Sequence, residues 1–242
     1  MRIGILQSNY IPWRGYFDFI NSVDLFIFHD DIQYTKQDWR NRNKIKTDKG
    51  LEWLTVPVKK APTETPIDRI EIAGEEWRTD HRRKLGQHLG KAPHFKDAIQ
   101  LWEKATRNQT FLSDMNIALI TDICFYLGIH TSWVRSRHLG ITGVKTERIA
   151  QMMRKFGGTT YVSGPAAKCY LDVQGLADMG VEVEWKDYNY LPYPQQYGDF
   201  QFENTVTVLD LIANLGPEAK NHIRSYTTEE MQAMPGFAHY NQ

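Results

Sequence analysis

Apolar positions recur with two periods along the chain. Met1–Leu6 is a short apolar run that reads as a buried strand, and Leu25–Phe28 reads as a second. Between them Trp13–Ser22 has helical spacing, with Tyr16, Phe19 and Ile20 on one face and Pro12 fixing the turn before it. Strand, short helix, strand predicts a parallel pair joined by a right-handed crossover. Leu51–Val58 and Ile67–Ile72 read as strands around a loop holding Pro62 and Pro66. Three helical patterns follow, Glu76–Leu89, Phe95–Arg107 and Phe111–Leu127. The last turns Leu112, Met115, Leu119 and Ile123 inward, and Ser113 is placed to cap it.

Strand and helix then alternate again. His130–Arg135 reads as a strand, Val144–Phe156 as a helix ended by Gly157-Gly158, and Thr159–Val162 as a strand. Ala166–Met179 reads as a helix, Val181–Trp185 as a strand and Val206–Leu215 as a helix stopped by Gly216-Pro217. From about Thr227 the chain reads as loosely ordered. The expected fold is α/β, with a Rossmann-like, mostly parallel sheet. Residues 1–242 are expected to form a single domain, with a helical insertion over about 76–128.

Bulk charge narrows the function. Lys and Arg number 29 and Asp and Glu number 29, so the net charge is zero. A non-specific nucleic-acid binder usually carries a net basic surface, so nucleic acid is not expected as a partner. No window approaches the roughly 18 apolar residues of a spanning helix, and the first apolar run is too short for a signal peptide. No membrane insertion is expected. Cys124 and Cys169 are far apart and form no CxxC, which sets a cytoplasmic location as the default. No metal site is read and no cofactor is assigned. The oligomeric state stays open, a homo-oligomer included.

Chemistry-bearing residues cluster after the expected strands, where an open α/β sheet builds its ligand site. After the first strand, Gln7, Tyr10, Arg14 and Gly15 lead into a helix whose free N–H groups suit an anion. The layout is loosely similar to the HxGH motif of the nucleotidylyltransferase superfamily, but Trp13 and Tyr16 stand where its histidines would be. After the second strand come His29, Asp30, Asp31 and Gln33. Adjacent carboxylates on an extended chain point to opposite sides, so one of the aspartates is expected to face a ligand and the other to shape a turn. Trp39, Asn41, Arg42 and Asn43 suit a phosphorylated, sugar-bearing ligand, because arginine binds phosphate through two parallel hydrogen bonds and asparagine reads hydroxyls.

The run Gln7-x-x-Tyr10-x-Pro12-x-x-Gly15-Tyr16-Phe17, then Asp30-Asp31-x-Gln33-Tyr34, then Trp39-x-Asn41-Arg42-Asn43 resembles the WbqC-like protein family. Later segments fit too: Tyr161-x-Ser163-Gly164-Pro165, Tyr170-Leu171, Tyr193-x-Gln195, Gly198-x-Phe200 and Leu209-Asp210. The resemblance runs to about residue 217. It implies a place in bacterial gene clusters for O-antigen and other surface polysaccharides, and it supplies a pathway more than a reaction.

Two later segments complete the expected site. His138 precedes a Gly-flanked loop, and Thr142, Lys145, Thr146 and Arg148 fall at or near the start of the following helix, where phosphate binds well. The layout is analogous to the second phosphate-binding motif of nucleotidylyltransferases. A capped amphipathic helix with exposed charges explains the same residues equally well. Ser163 is expected to cap a helix and, with the Gly164 amide, to bind ligand; GxSxG is absent, so a nucleophilic role is not favoured. The loop Tyr188–Phe200, with Tyr193 and Gln195, is expected to wall the substrate pocket.

The reading that follows is a transferase acting on a nucleotide-linked amino sugar in surface polysaccharide synthesis, by acyl or aminoacyl transfer to the sugar amine. A general base is expected among His29, Asp30, Asp31 and His138. Two alternatives stand beside it. One is a nucleotidylyltransferase-like enzyme that uses ATP. The other is a non-catalytic binding or assembly module.

Overall fold

The computed structural model describes residues 1–198 and 201–233. In chain order the regular elements begin with β1 (Arg2–Leu6), α1 (Arg14–Asn21), β2 (Leu25–Phe28), β3 (Arg42–Thr47) and β4 (Gly50–Thr55). Next come α2 (Glu76–Leu89), α3 (Phe95–Thr106), α4 (Leu112–Tyr126), β5 (Ser132–Arg135), α5 (Lys145–Phe156) and β6 (Thr160–Ser163). The last are α6 (Val173–Ala177), β7 (Glu182–Trp185), α7 (Val208–Leu215) and α8 (Thr228–Ala233).

Five strands form one sheet in the order β5-β2-β1-β6-β7, and every pairing in it is parallel. The fold is therefore α/β and Rossmann-like. The chain works outward from β1 to β2 and β5 on one side, then crosses to β6 and β7 on the other. The switch point lies between β1 and β6, where open α/β sheets bind ligands.

Period-two alternation sorts the strands' side chains into two cores. Ile3, Ile5, Leu25 and Ile27 pack with Ile149, Met152 and Met153 of α5 and Leu176 of α6 on one face. Phe26 and Phe28 join α1, α7 and the three helices α2–α4 on the other. Gly4 lets α1 approach, since a Cβ there would lie 2.4 Å from the Phe19 ring. The buried Leu112, Met115, Leu119 and Ile123 form the inward stripe of α4.

The structure corrects several local expectations. β3 was not foreseen, because RNKIKT carries one aliphatic residue; its buried positions are Asn43, Ile45 and Thr47 on one alternation and Lys46 on the other, three of the four polar. It pairs antiparallel with β4 as a separate hairpin. Ile67–Ile72 is no strand: Pro66 removes a ladder donor, and the segment forms a 3-10 turn over Ile67–Arg69 with isolated bridges to Val58 and Phe111. The helix expected over Ala166–Met179 splits into a 3-10 turn, Pro165–Cys169, and α6, because the Asp172 side chain accepts from Gly175 N at 2.9 Å and starts a new helix. Ser113 does not cap α4, whose N-cap is Phe111. Ser163 caps nothing either, since Gly164 holds that position. Thr228–Ala233 form a short helix where loose order was expected, and the remainder of that expectation lies outside the described residues.

Candidate functional site

Because the five strands are parallel, their C-terminal ends share one edge of the sheet. Gln7 follows β1, His29 and Asp31 follow β2, Ser136 follows β5, and Gly164 follows β6. A cleft of about 640 Å³ opens there. Its apolar wall includes Ile5, Ile32 and Ile149, with Tyr161 and Tyr170 beside them. Its polar wall is His29, Asp31, Gln33, Lys145 and Arg148.

Arg148 organises the polar wall. Its Nη2 donates to Asp31 Oδ2 at 2.6 Å, its Nη1 to the Ile141 carbonyl at 3.1 Å and its Nε to His29 Nε2 at 3.0 Å. The Ser136 hydroxyl donates to the second Asp31 oxygen. Burial pushes the Asp31 carboxyl up, but the Ser136 and Arg148 hydrogen bonds outweigh it and hold the group below its ordinary range. Burial first, and the Arg148 charge second, pull His29 down to about 4, against the opposing pull of Asp31. His29 is therefore neutral at pH 7, and its 4.0 Å approach to Asp31 is not an ion pair. A neutral ring that accepts at Nε2 carries its proton on Nδ1.

The loop before α5 is strained at the cleft. Lys145 has φ +47°, in the left-handed region that costs a side-chain-bearing residue free energy. Gly143, two residues earlier, has φ +78°, and a Cβ there would meet the Glu147 carboxylate at 2.4 Å. This backbone brings Gly143, Val144 and Lys145 into the lining of the cleft.

The structure divides the expected site residues. His29, Asp31, Gln33, Lys145 and Arg148 line one cleft. Gln7 stands beside it, donating to the Gln33 carbonyl at 3.2 Å and accepting from Arg40 Nε at 2.7 Å. Asp30 turns the other way: it is buried, accepts from Ser8 N at 2.7 Å and takes the Ser113 hydroxyl. Ser113, inside the first turn of α4, thus serves Asp30 and not the helix end. Thr142 exchanges backbone hydrogen bonds with the Gln151 side chain, and the Thr146 hydroxyl accepts from Asp172 N. His138 is exposed and accepts from its neighbour Arg137. Ser163 is buried against the Tyr161 hydroxyl, and Gly164 opens the next 3-10 turn.

The rest lie in the protein's interior or on the hairpin. Tyr10 is fully buried; it accepts from Trp102 Nε1 at 2.7 Å and bonds His81 Nδ1 at 2.9 Å. Arg14 is buried beneath Tyr190, Tyr193 and Phe202, and donates to Asn204 and to the Leu191 and His222 carbonyls. It faces no open anion site. Gly15 sits under the Trp13 indole, 2.4 Å from where a Cβ would be. Asn41 and Asn43 are buried and bonded to backbone carbonyls, Asn41 to Val56 and Asn43 to Tyr10 and Ile11. Arg42 lies 4.2 Å over the Trp53 ring, and Trp53 also faces the half-exposed Trp39. Tyr193 and Gln195 bond the buried Asp210, Tyr193 donating at 2.7 Å. So Tyr190 and Tyr193 anchor their loop in the interior and do not wall the cleft; Asp199 and Phe200 lie outside the described residues.

Ser136 behind the cleft wall and Asn9 and Arg40 beside the cleft were not singled out from the sequence, and Tyr161 and Tyr170 entered only through the family resemblance. Arg40 lay inside the run around Trp39, and nothing in the sequence set it apart, because β3, which begins at Arg42 and leaves Arg40 on the loop, was itself not foreseen.

The model of the WbqC-like protein family matches residues 7–222. Rv1507c of Mycobacterium tuberculosis, described as an uncharacterized protein, is 43% identical over 231 residues, covering 92% of this chain and 97% of its own. No solved structure matches the chain. No helix among the described residues is long and apolar enough to cross a membrane.

Proposed function

The chain belongs to the WbqC-like protein family, and on that premise we propose a transferase that acts on a nucleotide-linked amino sugar in surface polysaccharide assembly. One observation carries the reading. A 640 Å³ cleft lies at the ends of β1, β2 and β6, walled on one side by aliphatic and tyrosine side chains and on the other by Arg148, Lys145, His29 and Gln33. Ligand pockets run from about 300 to 1,000 Å³, so the cleft is large enough for a nucleotide. The apolar wall suits a base and ribose, and the cationic wall with the start of α5 suits phosphates.

The reaction is acyl or aminoacyl transfer to the sugar amine from an activated ester or thioester. The amine nitrogen bonds the acyl carbon, one amine proton passes to a general base, and the donor's ester or thioester bond breaks with its electron pair going to the departing oxygen or sulfur, which takes up the proton from the base and leaves as alcohol or thiol. His29 is the base. It is neutral at pH 7, and a phosphate arriving at Arg148 competes for the guanidinium and releases the Nε2 lone pair. Asp31, held ionised by Ser136 and Arg148, orients the arginine.

A thermal-shift screen of nucleoside diphosphates and nucleotide sugars tests the binding step. At least one should stabilise the protein, and Arg148→Ala and Asp31→Ala should abolish that stabilisation. With the active pair in hand, His29→Gln should cut turnover by about 10²–10⁴-fold and leave affinity nearly unchanged. A flat response across the whole screen contradicts the reading and favours a binding or assembly module.

One observation favours a second reading. The strand order, renumbered within the sheet as 3-2-1-4-5, places α1 and the Thr146–Arg148 segment around the switch point, in the chain order that nucleotidylyltransferase-like enzymes use. That reading requires pyrophosphate release from ATP with Mg²⁺. Simple acyl transfer releases none.

A further inference from the structure

A second, smaller pocket of about 270 Å³ lies beyond the phosphate cleft, lined by Asn9, Pro12, Trp13, Trp39, Asn43 and Thr205. None of these side chains is charged. Two of them are indoles, and each is braced from behind. Trp13 lies over Gly15 and against Tyr188 and Tyr190, at 5.3 and 5.7 Å between ring centres. Trp39 lies 5.3 Å from the Trp53 ring. The turn that carries Pro12 and Trp13 is strained, for the β-branched Ile11 has φ +36°. Buried Asn43 holds that turn by donating to the Ile11 carbonyl at 2.9 Å and to the Tyr10 carbonyl at 3.2 Å.

The lining keeps hydrogen-bonding capacity unused. Among the described residues, the indole N–H groups of Trp13 and Trp39, the Asn9 amide nitrogen and the Thr205 hydroxyl have no protein partner. The lining side chains are neutral, with cations only behind them at Arg40, bonded to Asn9, and at Lys44, 5.9 Å from the Trp39 ring centre; aromatic faces with spare polar groups favour a polyhydroxylated ring. At 270 Å³ the pocket lies just below the range of pockets for drug-sized ligands, about 300–1,000 Å³, and suits a single sugar ring. A hydrogen-bonded relay joins it to the cleft. Arg40 donates to Asn9 of the pocket and to Gln7, and Gln7 donates to the Gln33 carbonyl at the cleft.

We propose that the Trp13–Trp39 pocket is the saccharide subsite, holding a pyranose ring while the nucleotide phosphates occupy the Arg148 cleft. This deepens the function proposed above and rests on it for the nucleotide half only. The ring arrives either attached to the nucleotide or as a separate acceptor.

The test uses the full chain and two measurements. Saturation-transfer NMR is run with free glucose, mannose, N-acetylglucosamine and galactosamine. Calorimetric titration is run with UDP, GDP and dTDP and their sugar conjugates. At least one pyranose, free or conjugated, should bind. Trp39→Ala should weaken that binding by about tenfold or more, Trp39→Phe by no more than about threefold, and neither should change affinity for the bare nucleotide. Trp39 is 39% exposed, so its removal does not open the core. Retained nucleotide binding shows that the variant is folded. If the conjugate alone gains affinity over the bare nucleotide and Trp39→Ala removes the gain, the ring arrives attached. If free sugar binds alongside bare nucleotide, it is a separate acceptor. Pyranose binding that depends on Trp39 with no nucleotide binding would uphold the subsite and sink the nucleotide reading. No pyranose response in either form, or a response that Trp39→Ala leaves intact, overturns the proposal.

Discussion

The molecule contains two polar clusters built from the same residue types, one open and one sealed. At the strand ends, Arg148, Asp31 and His29 line a cleft, and buried Ser136 backs Asp31. Under the C-terminal segment, Arg14 lies beneath its three rings, and Asp210 meets Tyr193, Gln195 and Asn214. Arginine, aspartate and tyrosine serve both. The open cluster has a cavity of ligand size before it, and its guanidinium can exchange partners. The sealed cluster directs most of its hydrogen bonds to the chain itself, leaving Arg14 Nη2 and Asp210 Oδ2 buried without a partner among the described residues, and Arg14 ties α1 to segments nearly two hundred residues away. Residue type nominates a site, and access decides whether it is one.

The contrast predicts that the sealed cluster governs stability. Arg14→Ala removes packing over three rings and leaves Asn204 and two carbonyls without their donor. It should cost about 3 kcal/mol, or roughly 6–12 °C in Tm, measured by thermal unfolding. Ligand affinity per folded molecule should not change. If affinity collapses while Tm holds, Arg14 belongs to the site and the division fails.

Asp210 gives the sealed cluster a pH signature. Burial raises its carboxyl from 3.8 to about 6, against the hydrogen bonds of Tyr193, Gln195 and Asn214 and the charge of Lys46. The folded state holds this proton to higher pH than the unfolded state does. The group's contribution is therefore most favourable below about pH 4 and is lost as pH rises through about 6. The shift of 6 − 3.8 = 2.2 corresponds to about 3 kcal/mol at most. Asp210→Asn cannot ionise, so its stability relative to the native protein should improve across that window. Denaturant melts at pH 4, 5, 6 and 7 would show it, and a constant difference would mean that Asp210 does not titrate there.

The smallest effect is expected at His138, which is exposed and, among the described residues, has Arg137 as its one side-chain hydrogen-bond partner. His138→Ala should stay within about 0.5 kcal/mol in stability and leave ligand binding unchanged. Loss of turnover in that variant would move the general base away from His29.

The open cluster was more legible than the sealed one. β1 and β2 were clear because both faces of a central parallel strand are buried, which leaves unbroken apolar runs. That located the strand exits, and with them His29, Asp31, Gln33 and Gln7. The alternation of an extended chain also required Asp30 and Asp31 to diverge, and they do. β3 escaped because three of its four buried positions are polar, Asn43 among them. Arg14, Tyr10, Tyr193 and Gln195 could not be sorted from their types. Whether such a side chain meets a ligand or Asn204, Trp102 or Asp210 depends on partners remote in sequence. The Trp13–Trp39 pocket was hidden for the same reason, since its walls come from the β1 exit, the loop before β3 and Thr205.

The most direct measurement is calorimetric titration of Arg148→Ala beside the native protein, using the nucleotide or nucleotide sugar that stabilises the native protein most. Loss of the charge-assisted hydrogen bonds should weaken binding by about 10–100-fold, with a smaller fall in Tm than Arg14→Ala shows, because Asp31 keeps the Ser136 hydroxyl as a partner. Arg14→Ala should show the reverse pattern. Unchanged affinity in Arg148→Ala, or a ligand whose binding depends on Arg14 instead, would contradict the assignment of the strand-end cleft as the site.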